Sequence, residues 1–251
     1  RVACKYLGVP RLKEAHATNR TQCTSYFKDK LPNVCIVEHV SARDVRTWVR
    51  HPAVPFIHAV RDPLEMCISA YQYHLTGAEP WLTQPLRDLN GSTLQQYYTA
   101  LRPDQAAPFE CKRMMFELIE TTLVYNATRK RTKTLTVRLE DFASNYDSTT
   151  RRMFDFLGTK DFFAEYLVNA TREYDLSREA AADPRHVSSR YEKDRLRMLV
   201  MRDPLISLLM TYLRAILGYG GIAQHEPTSG ELCQLVQDIC ATTNFGFMHW
   251  C

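Results

Sequence analysis

The stretch from His58 to His74 holds the residues whose types and spacing could do chemistry. An apolar, β-branched run ends in Arg61, Asp62 is placed to cap a following helix, and Pro63 suits that helix's first turn, where no backbone N–H is needed. Such a corner presents free N–H groups and the positive end of a helix dipole, and together these attract an anion. Arg61 adds a planar fork of donors matched to phosphate. Ser69 follows eight positions later, about two helical turns on, where its hydroxyl can supply a further donor. The plainer alternative is that Arg-Asp-Pro makes only an ion pair and a helix cap. His58 falls mid-strand and is expected to be buried and structural, whereas His74 is placed to line a cleft.

The pattern of a strand followed by Arg-Asp-Pro, five residues, Ser, one residue and Tyr resembles the sulfotransferases that use 3′-phosphoadenosine 5′-phosphosulfate (PAPS). In that family an Arg at a strand end and a Ser eight residues later hold the 3′-phosphate, which implies cofactor-binding roles for Arg61 and Ser69. The resemblance extends to Val137-Arg138-Leu139-Glu140-Asp141-Phe142 and to Phe154-Asp155-Phe156-Leu157-Gly158, and covers roughly residues 33–217. For Arg138, Glu140 and Asp141 a buried ion pair and a helix cap are favoured over direct ligand contact.

Val37 to Val45 is similar to the His-Val region of the glycosaminoglycan 2-O-sulfotransferases, where the His is the general base. The resemblance implies His39 as the catalytic residue, with Glu38 as a lower-ranked substitute, because an attacking sugar hydroxyl must lose its proton as its bond to sulfur forms. A core or capping histidine is the competing reading. Asp183 to Lys193 stands where the family's loop closes over the nucleotide, which implies cofactor contacts from Ser189 and Arg190. Ser188 or Ser189 as a helix N-cap, with Glu192 completing a capping box, is compatible with that role.

The family's opening loop of Lys or Arg with Gly, Ser and Thr, which cradles the 5′-phosphosulfate, has no counterpart ahead of Arg61. The expectation is that the chain begins just downstream of it. The implied activity is transfer of a sulfuryl group from PAPS to an acceptor hydroxyl, on a glycan by preference, without a metal. A non-catalytic glycan- or protein-binding descendant of the same fold is the alternative. A P-loop phosphotransferase ranks below both, since neither a Walker-type lysine nor a magnesium carboxylate is visible.

These residues need elements to position them. Short apolar runs read as strands at 34–37, 54–60 and 134–138, nearly continuous as buried parallel strands are. Helical periodicity marks 63–74, 92–101, 109–126, 148–157, 161–169, 190–201, 204–217 and, more weakly, 230–240. Strands alternate with helices early and helices dominate late. That order implies one α/β domain, a P-loop-like parallel sheet flanked by helices with a helix-rich C-terminal half. Thr171 to Arg190 reads as a loop, and residues 219–251 as a cysteine-containing tail.

Composition bounds the remaining choices. With 251 residues, 45% hydrophobic and 24% charged, and only 9 Gly and 12 Pro, collagen-like and disordered classes are excluded. The net charge of +4, without blocks of like charge, does not argue for nucleic acid. Leu205 to Ala223 is interrupted by Arg214 and glycines and does not read as a membrane span, so any membrane attachment is expected from a segment ahead of Arg1. Asn-x-Ser/Thr sequons at Asn19, Asn90, Asn126 and Asn169 use four of the seven asparagines, where chance predicts about one. Eight cysteines without a Cys-x-x-Cys pair favour disulfides over metal, with Cys35 and Cys67 evenly balanced between bridges and free buried thiols. Sequons and cysteines together point to the Golgi lumen or another secretory compartment.

Overall fold

The computed structural model describes residues 55–77, 79–131, 133–159, 161–175, 177, 189–220 and 229–242. The expected strand at 34–37, Glu38, His39, Asn19, Cys4, Cys23, Cys35, Cys251 and residues 183–188 lie outside them. The order is β1 (Phe56–Val60), α1 (Pro63–Thr76), α2 (Leu94–Ala100), α3 (Pro103–Arg113), α4 (Met115–Thr128), β2 (Thr134–Arg138), α5 (Leu139–Ser144), α6 (Tyr146–Phe156), α7 (Asp161–Thr171), α8 (Arg190–Val200), α9 (Pro204–Leu217) and α10 (Ser229–Thr242). Short 3₁₀ turns at Pro80–Thr83 and Arg87–Leu89 join α1 to α2, and a third covers Arg172–Tyr174. The fold is mostly helical with a small parallel sheet, an α/β arrangement. None of the described helices is long and apolar enough to cross a membrane.

Two compact units emerge, one from residues 1–60 and 123–181, the other from 61–122 and 182–251. In the first, β1 and β2 pair in parallel with Phe56 opposite Thr134 and Val60 opposite Arg138. The two strands therefore end flush, and α5 leaves directly from the carboxyl end of β2. A small apolar cluster of Phe154, Ala164, Leu167 and Val168 joins α6 to α7. Gly158, with φ +77°, reverses the chain after α6, so the Phe-Leu-Gly sequence has a local job as a helix stop.

The second unit is a helical assembly with a larger core. Leu64, Cys67, Ile68 and Tyr71 recur at i, i+3, i+4 and i+7 along α1, and Ile206, Leu209, Met210 and Leu213 repeat the pattern on α9. Leu196 and Val200 of α8 and Leu235 and Ile239 of α10 close onto the same core. The tail helix is thus held by apolar side chains. Cys67 and Cys111, both fully buried, are at bonding distance and tie α1 to α3, with S–S 2.08 Å. Cys67 is therefore bridged, not a free thiol.

The single helix expected over 109–126 is two helices, α3 and α4, with the break at Met114. In the fold Pro103 begins α3, and Pro108 is tolerated inside at the loss of one backbone hydrogen bond.

On β1, His58 lies between Phe56 and the Tyr125 ring, with centroids 6.1 and 6.4 Å away. Its Nδ1 is buried without a hydrogen-bond partner, and burial draws its pKa from 6.5 to about 4. The folded chain therefore holds this ring neutral where the unfolded chain protonates it.

Stability should fall as pH drops from about 6.5 towards 4, because over that window only the unfolded state takes up the proton. In urea titrations across this range, His58→Phe should flatten the acid-side loss, and an unchanged slope would contradict the burial account. Replacing Cys67 and Cys111 together by Ala should lower the unfolding free energy by about 2–4 kcal/mol, since the bridge closes a long loop; equilibrium denaturation followed by far-UV circular dichroism reads this directly.

Candidate functional site

The first turn of α1 is organised by one carboxylate. Asp62 Oδ1 accepts the Leu64 N–H at 3.0 Å, and Oδ2 accepts the Arg214 Nε of α9 at 3.0 Å. Asp62 is buried, and desolvation holds its carboxyl above the ordinary range despite the Arg214 charge beside it. The ion pair and cap anticipated for Arg-Asp-Pro are both present. The cation in the pair is Arg214, from 152 residues away, and not the adjacent Arg61.

That exchange decides what Arg61 can do. Arg61, which follows β1 and precedes α1 in the chain, is half-buried and makes no hydrogen bond or ion pair with any of the described residues. Ser69 is likewise half-buried, and its hydroxyl has no partner among them. Ser69 stands eight residues after Arg61 in the chain, on the second turn of α1.

A second Arg-Asp-Pro begins α9. There Asp203 accepts the Leu205 and Ile206 N–H groups at 3.1 and 3.2 Å and pairs with Lys112 at 2.8 Å. Burial works against its ionisation, but the Lys112 contact and the cap bonds hold the carboxyl below its ordinary value. Arg202 is exposed. The tripeptide is thus in both places a way to start a helix and recruit a distant cation. Only at Arg61 does it leave a half-buried guanidinium, at a strand's carboxyl end and ahead of an unpaired serine hydroxyl.

Ser189 caps α8, its Oγ accepting the Glu192 N–H at 3.2 Å. The Glu192 carboxylate turns instead to Arg195, at 3.3 Å, so no reciprocal capping bond from it is seen. Arg190 is exposed and has no partner among the described residues. Arg197 pairs with Glu65, while Glu192 and Arg195 act on the Tyr71 hydroxyl, so α8 runs antiparallel to α1. Its first turn enters beyond the level of Tyr71, about 15 Å along the axis from Arg61. Along the helix, Arg190 is nearer Ser69 than Arg61. In the other unit, Arg138 precedes α5 without a side-chain cap, and Asp141 meets Arg152 at 3.6 Å on the surface, not in a buried pair.

Sequence reasoning missed the densest polar cluster. Glu110, fully buried on α3, accepts from Arg113 at 2.6 and 2.9 Å and from the Tyr98 hydroxyl, and binds His74 Nδ1 at 3.0 Å. Burial opposes its charge, but the Arg113 and His74 hydrogen bonds more than offset it and hold the carboxyl below its usual range. Trp81 completes the cluster, edge-on to His74 with centroids 4.9 Å apart and beneath the Arg113 guanidinium at 5.3 Å. His74 is buried on a carboxylate within the α1–α3 contact, not on a cleft wall. The available signal was a glutamate on the apolar face of an otherwise polar helix, in register with Ala106, Ala107 and Cys111.

Glu110→Ala would strand three cationic or polar partners, Arg113, Tyr98 and His74, and should cost about 3–5 kcal/mol of stability, seen as a lower urea midpoint. A loss below about 1 kcal/mol, the range of exposed pairs, would show the cluster to be solvated. Comparison of the chain with family models, with curated proteins and with solved structures finds no match in any of the three.

Proposed function

We propose that this chain binds a 3′-phosphorylated adenosine nucleotide through Arg61 and Ser69 and belongs to a sulfotransferase that acts on a hydroxyl acceptor, a glycan by preference. The observation that carries the reading is the half-buried Arg61 with no partner among the described residues, beside a capping carboxylate already matched by Arg214. A guanidinium desolvated to that degree calls for an anion, and its planar donors suit a phosphate dianion. The Ser69 hydroxyl fits the same ligand as a second donor. When bound, the PAPS donor supplies the sulfuryl group.

In this reading Arg61 and Ser69 orient the nucleotide, His39 takes the acceptor proton, and Ser189 and Arg190 approach from the start of α8. The reading further implies that β1 and β2 belong to a wider P-loop-like sheet, that no metal takes part, and that the chain works in the Golgi lumen or another secretory compartment. A non-catalytic glycan- or protein-binding relative of the same fold is the second reading.

Calorimetric titration with 3′,5′-adenosine bisphosphate tests the assignment. Arg61→Ala should weaken binding by roughly ten- to a hundredfold, the worth of one charged hydrogen-bonded contact. Arg202→Ala, from the exposed copy of the tripeptide, should leave it unchanged. Equal affinity in the Arg61 variant would end the proposal. Binding without sulfuryl transfer from labelled donor to any hydroxyl acceptor would select the non-catalytic reading.

A further inference from the structure

Three of the four sequons fall on described residues, and the fold treats them in two different ways. Asn90 closes the 3₁₀ turn Arg87–Leu89 in a left-handed conformation, φ 52° and ψ 36°, and is exposed. The turn continues through Gly91, φ +81°, to Ser92, whose hydroxyl has no partner among the described residues. The asparagine amide and the serine hydroxyl of this sequon thus stay available after folding.

Asn126 and Asn169 are also exposed, but they sit in the last turns of α4 and α7. Their companion threonines are taken up by the helices. Thr128, fully buried, donates its hydroxyl to the Val124 and Tyr125 carbonyls at 2.9 and 3.2 Å. Thr171 does the same with Leu167 and Val168 at 2.9 and 3.1 Å. Residues i and i+2 of a helix do not face the same way, so one enzyme cannot grip both ends of a helical sequon. The buried Cys67–Cys111 bridge independently points to folding in an oxidising compartment, where sequons meet their transferase.

We infer that Asn90, Asn126 and Asn169 are N-glycosylation sites, with Asn90 open to modification in the folded chain and the other two only before α4 and α7 form. The donor is a lipid diphosphate-linked oligosaccharide. The asparagine Nδ2 bonds to the sugar's anomeric carbon, the anomeric C–O bond to phosphate breaks, the lipid diphosphate leaves with the electron pair, and the amide proton passes to a base of the transferase. Exposure of all three asparagines lets a bulky, hydrated glycan be carried without disturbing either core. The inference holds whatever group the protein itself transfers.

The test uses the full chain in two states, with purified oligosaccharyl transferase and its lipid-linked donor. One sample is oxidised and folded, verified by resistance of Cys67 and Cys111 to alkylation; the other is reduced, carboxymethylated and unfolded. Sites are located by amidase release in heavy-oxygen water and peptide mass spectrometry. Asn90 should be modified in both samples, and Asn126 and Asn169 in the unfolded one, being slower by roughly tenfold or more in the folded one because a packed helical turn must open first. Modification of Asn126 or Asn169 in the folded chain as fast as Asn90 would overturn the inference, and so would an unmodified Asn90 in either sample. Protein isolated from its own cells should carry glycans at all three, and bare asparagines there would equally refute it.

Discussion

One carboxylate, Asp62, sets the terms for the second unit. It closes the first turn of α1 through the Leu64 N–H and draws Arg214 of α9 onto its other oxygen. A cap and a half-buried ion pair on the same group lock the start of one helix to another that follows far later in the chain. The consequence reaches the neighbouring residue. With Asp62 paired to Arg214, the Arg61 guanidinium has no internal counter-ion among the described residues.

Further along α1 the hold is of different chemistry. The Cys67–Cys111 bridge and the cluster of Glu110, Arg113, Tyr98 and His74 both join α1 to α3, one covalently and one by charge-assisted hydrogen bonds. A buried carboxylate needs several donors to stay ionised in the core, and these supply them. Between the two anchorages lies Ser69, so the helix bearing the candidate nucleotide contacts is held at both ends. Rigid placement suits a group that must meet a phosphate without rearranging.

Much of the secondary structure was legible from spacing alone. β2 and α9 fall on the residues expected, 134–138 and 204–217, because a short β-branched run in one and helical periodicity with a Gly stop in the other are local signals. Where local signals conflict, the reading failed. The single helix expected over 109–126 is two, and α3 begins at Pro103 with Pro108 inside it, since burial of Ala106, Ala107 and Cys111 outweighs one missing hydrogen bond. The half-buried setting of Arg61 and Ser69 could be expected from a strand-to-helix corner; their lack of a partner could not.

Residues a few positions apart are placed by the backbone's own geometry, so helix starts, caps, stops and the sequon spacing are written in the order of amino acids. Which cation meets Asp62, which thiol meets Cys67, and which histidine meets Glu110 depend on segments 36 to 152 residues distant. No local preference encodes such encounters. They are chosen by the packing of whole helices around a common core, and with them the tertiary structure decided which of two identical Arg-Asp-Pro tripeptides keeps its guanidinium half-buried and which leaves it exposed.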